Sequence, residues 1–95
     1  MRGVSVRLDK FLKLSRLVKR RTAAQEMAQI GAVRINGRVC KPSADVKEND
    51  LIEIAYPKHI LAVRVLNADE NALKHNAAAY EAVSDKKADL DVRPW

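Results

Sequence analysis

Residues 7–37, RLDKFLKLSRLVKRRTAAQEMAQIGAVRING, decide how this chain folds. Leu8, Phe11 and Leu12, with Val18 beyond the small Ser15, recur at the i, i+3, i+4 spacing of one helical face, while Asp9, Lys10, Lys13 and Arg16 occupy the opposite side. The spacing predicts a short helix with an apolar stripe and a basic stripe, Leu14 and Leu17 lying off the stripe to pack against later elements. Asp9, in the first turn, suits the positive end of the helix dipole, as a dipole partner or salt-bridge acceptor. Lys19, Arg20 and Arg21 lead into Thr22-Ala23-Ala24-Gln25, which fits a capping box in which the Thr22 hydroxyl accepts from the Gln25 backbone N–H. Ala23, Ala24, Met27 and Ile30 share a face of the second helix, and Gly31 supplies the left-handed residue that ends it. Three basic side chains directly before a helix N-terminus make an anion site, with phosphate as its natural ligand.

Downstream, Val33-Arg34-Ile35 alternates, Asn36-Gly37 signals a two-residue hairpin turn, and Arg38-Val39-Cys40 returns as the partner strand. Arg34 and Arg38 are expected on its solvent side. Lys41-Pro42-Ser43 breaks the strand, Val46 stands as an isolated apolar anchor, and residues 51–55 and 60–66 read as two more strands. Asn67 or Asp69 can cap a third helix reaching about Ala79; residues 80–83 either end it or form a short extended piece. From Ser84 the charge-rich sequence predicts a mobile tail closing on Trp95. The expected fold class is therefore α+β: two packed N-terminal helices against a short, mostly antiparallel sheet, then a short C-terminal helix and a flexible tail. The corresponding division is residues 6–66 as the main domain, 67–83 as a helical extension and 84–95 as the tail.

A chain of 95 residues is one domain that buries only about 60 % of its unfolded surface, leaving no room for a deep active-site cleft. Its charge is polarised. Residues 1–41 hold eleven Lys and Arg against Asp9 and Glu26, a balance of +9, whereas residues 42–95 carry −3. Such a field favours a polyanionic partner. The lone Cys40 forms no internal disulfide and reads as a small hydrophobe in a reducing compartment. No apolar run approaches the ~20 residues that span a bilayer, so no membrane partner is expected and the cytoplasm is the expected location. Ser15, Ser43 and Ser84 have no nucleophile elbow around them, His59 and His75 each stand alone, and no Cys, His or carboxylate set has metal-ligand spacing. A binding protein without cofactors is expected rather than an enzyme. One Phe, two Tyr and one Trp are too few for a base-stacking platform, so binding should rest on phosphate contact and shape.

Together, Arg7-Leu8-Asp9-Lys10-Phe11-Leu12, Ser15-Arg16, Arg21-Thr22-x-Ala24, Gly31-x-Val33-x-Ile35-Asn36-Gly37, Lys41-Pro42-Ser43 and Val46-x-x-x-Asp50 resemble the RNA-binding domain named after the fourth small-subunit ribosomal protein, the alpha-L motif. The whole-chain pattern is similar to the small stand-alone bacterial members, in the ribosome quality-control and fifteen-kilodalton heat-shock branches. The resemblance implies binding to ribosomal RNA and tRNA on the large ribosomal subunit and support of template-free C-terminal tailing of a stalled chain. A nascent-chain tailing factor is a further candidate partner, and a monomer is expected when free. It places the main RNA contacts at Arg7 and Arg21, with Lys10, Arg16 and Arg20 nearby; Lys13, Lys19, Arg34, Arg38 and Lys41 complete the candidate surface. Two departures stand out: six residues precede Arg7, where small members often begin almost at that arginine, and Lys47-Glu48-Asn49-Asp50 lacks the Pro-Gly that often shapes its turn. The competing readings are a protein-interaction adaptor whose basic face meets an acidic partner, or an accessory RNA-binding module of an RNA-modifying system.

Overall fold

Leu8, Phe11 and Leu12 lie on one face of helix α1 (Leu8–Leu14), and all three are fully buried. Against them pack Ala24 and Ala28 of α2 (Arg21–Gln29), whose small side chains let the two helices approach closely. The computed structural model describes residues 4–87. Helix α1 stops earlier than its apolar spacing suggests. Ser15 closes it, Arg16 turns left-handed at φ 66°, and Leu17 and Val18 enter the core from the connection instead. Helix α2 ends as expected: Gly31, at φ 80°, donates to the Ala28 carbonyl and Ala32 to that of Met27, the paired bonds of a Schellman stop.

The expected capping box does not form. The N-cap is Arg20, no side chain caps the helix, and Thr22 is exposed inside the first turn. Gln25 is drawn elsewhere, as described below. Ile30 is also misplaced by the periodicity: it follows the last helical residue and is 80 % exposed.

Beneath the helices runs a five-stranded antiparallel sheet in the order β3-β2-β5-β6-β7. Its strands are β2 (Val33–Ile35), β3 (Arg38–Val39), β5 (Leu51–Ala55), β6 (His59–Val65) and β7 (Tyr80–Lys87). Val33, Ile52, Ile54, Val63 and Val65 point into the core. Asn36 and Gly37 both adopt positive φ, as the β2–β3 hairpin turn requires, and the Asn36 side chain bridges to Asp50 and to the Leu51 N–H. A separate two-stranded ribbon joins β1 (Ser5–Arg7) to β4 (Asp45–Lys47), with Val6 opposite Val46 and both buried. Ser5 and Val6, ahead of Arg7, thus complete a strand, and Val46 belongs to one. In the turn without Pro-Gly, Asn49 takes φ 73° and the Asp50 carboxylate accepts the Lys47 N–H at 2.8 Å.

The C-terminal region departs most from expectation. Asp69 caps a helix as anticipated, accepting from the Asn71 N–H, but α3 (Glu70–Lys74) is one short turn rather than a helix to Ala79. Asn76, at φ 65°, ends it, and the chain returns as β7 along β6. Residues 84–87, expected in a mobile tail, are therefore strand; 88–95 lie outside the described residues. Charged and polar side chains hid this strand, because only Tyr80 and Ser84 of its eight residues are part-buried, as an edge strand allows. A register shift leaves Val83 as an extra, exposed residue opposite the Ala62–Val63 step, a bulge that roughens the sheet edge. Since β7 covers the flank of β6, removing residues 80–95 should lower the thermal midpoint by roughly 5–15 °C, a loss of one to two kcal/mol at ~4–8 °C each. An unchanged melt would return these residues to a dispensable tail.

Candidate nucleic-acid interface

Asp9 is fully buried although it stands among basic residues on its helix. A buried carboxylate must have its lone pairs filled by donors, and here four groups converge on it. Arg7 donates through Nε to Oδ1 at 3.2 Å and through Nη2 to Oδ2 at 3.1 Å. The Lys10 backbone N–H donates to Oδ1 at 2.8 Å. From α2, Gln25 donates through Nε2 to Oδ2 at 2.9 Å, and Arg21 through Nε to the same oxygen at 3.3 Å. Burial by itself would push the carboxyl pKa up; the hydrogen bonds from Gln25, Arg7 and the Lys10 N–H, with the charge of Arg21, outweigh it and hold the group below the ordinary aspartate range.

Elements fix each participant. Arg7 is the last residue of β1 and the N-cap of α1, and Arg21 opens α2. Their side chains remain 46 % and 43 % exposed. Arg7 Nη1 and both Arg21 Nη groups take no part in the hydrogen bonds of the described residues, so two half-exposed guanidinium groups present unspent donors side by side.

The other sequence candidates divide into two sets. Lys13, Arg16, Lys19 and Arg20 are exposed along the end of α1 and its connection to α2, and none pairs with a carboxylate among the described residues. That connection is held down by buried Leu17 and Val18 and by the Tyr56 hydroxyl, which donates to the Leu17 carbonyl at 2.6 Å. Lys41 is exposed beside the start of α1, because the carbonyl of the next residue, Pro42, accepts the Asp9 N–H. Lys10 is diverted: its Nζ lies 3.0 Å from Glu70 of α3, which also binds Lys74 at 3.2 Å. Arg34, expected on the solvent side, is only partly exposed and pairs at 2.8 Å with Glu53, its cross-strand neighbour. Arg38 is exposed on β3, the edge strand of the sheet.

Sequence reasoning missed Gln25 and the burial of Asp9. The signal was present in the combination of Arg7, Asp9, Arg21 and Gln25, but each residue also had a simpler local role. Among the described residues no group of three His, Cys, Asp or Glu gathers as a metal site, and no helix is long and apolar enough to cross a membrane.

Replacing Asp9 with Asn tests the hub. The loss at neutral pH should be about 2 kcal/mol, as for removal of one partner from a buried charged network. Because the folded-state pKa of Asp9 lies below its unfolded value, its stabilisation is complete above the unfolded carboxylate range near ~4 and is lost as pH falls through the lower folded value. Denaturant melts from pH 7 to pH 2 should therefore show a gap between wild type and Asp9→Asn that narrows only at the acid end; a constant gap would exclude the carboxylate charge as its cause.

Comparison with known proteins matches this architecture. Residues 6–52, from β1 into β5, match the family model described as the S4 domain. The RQC P-site tRNA stabilizing factor of Streptococcus pneumoniae is 42 % identical over 88 residues, covering 92 % of this chain and 100 % of that protein. Its Bacillus subtilis counterpart is 41 % identical over 83 residues, 86 % of this chain and 96 % of that one. Heat shock protein 15 of Escherichia coli is 31 % identical over 85 residues, 87 % of this chain and 64 % of that protein. A structure of heat shock protein 15 from Vibrio cholerae, described as trimeric, superposes with a TM-score of 0.71 at 26 % identity, covering 84 % of this chain and 83 % of that one. Matched in its helix pair and hairpin and aligned along most of its length with these proteins, the chain belongs to the S4-domain family, which it shares with the RQC P-site tRNA stabilizing factors.

Proposed function

We propose that the chain binds structured RNA on the large ribosomal subunit, contacting ribosomal RNA and the P-site tRNA during rescue and quality control of stalled nascent chains. The names of its relatives support tRNA on the ribosome as the target, and the S4 domain supports RNA as the ligand class. The observation that carries the reading is the pair of arginines on Asp9. A guanidinium presents N–H donors in a rigid fork that matches phosphate oxygens, and here two such forks are half-fixed by a single carboxylate before any ligand arrives. Lys13, Arg16, Lys19, Arg20 and Lys41 add charge without fixed geometry, the arrangement suited to following a phosphate backbone. Support of template-free C-terminal tailing, with a tailing factor as protein partner, is the further step we assign to the docked state. No cofactor enters this function, and the protein acts in the cytoplasm as a monomer when free.

Ribosome co-sedimentation and RNA titration test the reading. Log affinity for structured RNA should fall linearly with log salt, with a slope reflecting several released counterions, and preference between paired sequences should be weak. Arg7→Ala and Arg21→Ala should each weaken binding by about 10- to 100-fold, the range of a lost charge-assisted hydrogen bond. Lys58→Ala, Lys86→Ala and Lys87→Ala should change it by less than about threefold, the scale of an exposed charge. Arg21→Lys, which keeps the charge, should still bind more weakly than wild type. Thermal melts of every variant separate lost contacts from lost fold. Equal losses across all five alanine variants would leave only general positive charge.

A further inference from the structure

Where the end of α1 meets the end of α3, an open cavity of about 400 Å³ is lined by Leu14, Ser15, Arg16, Leu73, Asn76 and Ala77. Its exposed lining is mainly polar: Asn76 supplies an amide with both donors and an acceptor, Arg16 a cation, and Leu14 and Ala77 a smaller aliphatic part, Leu73 being buried beneath them. Neither the Arg16 guanidinium nor the Asn76 amide has a side-chain partner among the described residues, and both residues are exposed. Both also hold left-handed backbone, at φ 66° and 65°, immediately after their helices' C-caps. Asparagine is ordinary in that conformation; arginine is not, and glycine would fit it without strain. A cation kept where glycine fits better points to a use for its side chain.

We propose that this cavity receives a single unpaired nucleobase, extruded from the RNA that lies along α1 and its connection to α2. This rests on the RNA-binding reading above. Leu14 and Ala77 lie against part of the base, the Asn76 amide meets donors and acceptors on its edge, and Arg16 neutralises the adjoining phosphate. A chain poor in aromatic residues thereby reads an irregularity in a duplex rather than a sequence, since unstacked bases in bulges and loops are the ones a protein can reach. Arg16 lies three residues along the chain from both Lys13 and Lys19, and all three are exposed, so a backbone held by those side chains would pass the cavity mouth.

Two RNA hairpins identical but for a single-nucleotide bulge in one of them provide the test. Wild-type protein should bind the bulged hairpin about tenfold more tightly at fixed salt, the range that one or two hydrogen bonds to the base supply. Ala77→Trp, which fills the cavity and leaves every charge in place, should abolish that preference while keeping affinity for the paired hairpin and its salt slope. Asn76→Gly removes the amide at a position where glycine is unstrained, so it should hold its melting temperature and likewise lose the preference; it carries the test if the Trp variant fails to fold. Equal binding of the two hairpins by wild type, or a preference that survives in Asn76→Gly and in a folded Ala77→Trp, overturns the base site while leaving RNA binding intact. Absence of binding to either hairpin at low salt overturns the RNA reading itself.

Discussion

A carboxylate out of reach of water keeps its charge only if the protein replaces every hydrogen bond that water would have made, and Asp9 is in that position. Meeting this requirement draws Arg7 from β1 and Arg21 and Gln25 from α2 toward one point, which fixes how the second helix lies against the first. The apolar contacts of Leu8, Phe11 and Leu12 with Ala24 and Ala28 could tolerate some sliding; a shared carboxylate cannot. The exposed halves of the two arginines are thus a by-product of core electrostatics. Their placement on the surface follows from an interior demand, which is why an arginine rather than a lysine suits both places: one end of the fork serves Asp9 while the other remains available.

Formal charge overstates the field this surface projects. Of the candidate cations, Arg34 is matched by Glu53, Lys10 by Glu70, and Arg7 and Arg21 share Asp9. Lys13, Arg16, Lys19, Arg20, Arg38 and Lys41 carry their charge without a carboxylate partner among the described residues. Four of these six lie in one stretch between Leu12 and Arg21, so the effective potential is concentrated on the helix connection rather than spread over the basic half. Tyr56 steadies that stretch from the sheet side. Its half-buried hydroxyl, with a pKa pushed up to about 12 chiefly by burial, stays protonated and keeps donating to Leu17 across the physiological range.

Local rules carried the sequence reading as far as local rules apply. The helix pair, the Gly31 stop, the Asn36-Gly37 turn and the strand at 51–55 each follow from a few neighbouring residues and each is present, and the strand expected at 60–66 forms one residue earlier, at His59–Val65. Elements defined by distant partners were not legible. Strands β1 and β4 have three residues each and only one buried side chain apiece, so neither has a pattern of its own until paired. Strand β7 hides behind Glu81, Asp85, Lys86 and Lys87, and Glu81 and Asp85 are engaged by Arg64 and His59 of β6. Gln25 shows the opposite error: Thr22 and Gln25 satisfy a local capping pattern, but a buried charge sixteen residues upstream outbids a solvent-exposed cap.

The β1–β4 ribbon also bears on how the protein is made. Arg7 leaves a translating ribosome before Asp45–Lys47, yet the strand that orients it pairs with those residues, about forty positions later. Closing so long a loop is unfavourable until Val6 and Val46 can be buried together, and before then the N-terminal segment has only its own seven-residue helix to organise it. During synthesis the chain therefore carries its cationic segment in an unformed state until Lys47 has been made. The geometry that lets two arginines act as one site comes into being only once β4 has emerged to close on β1.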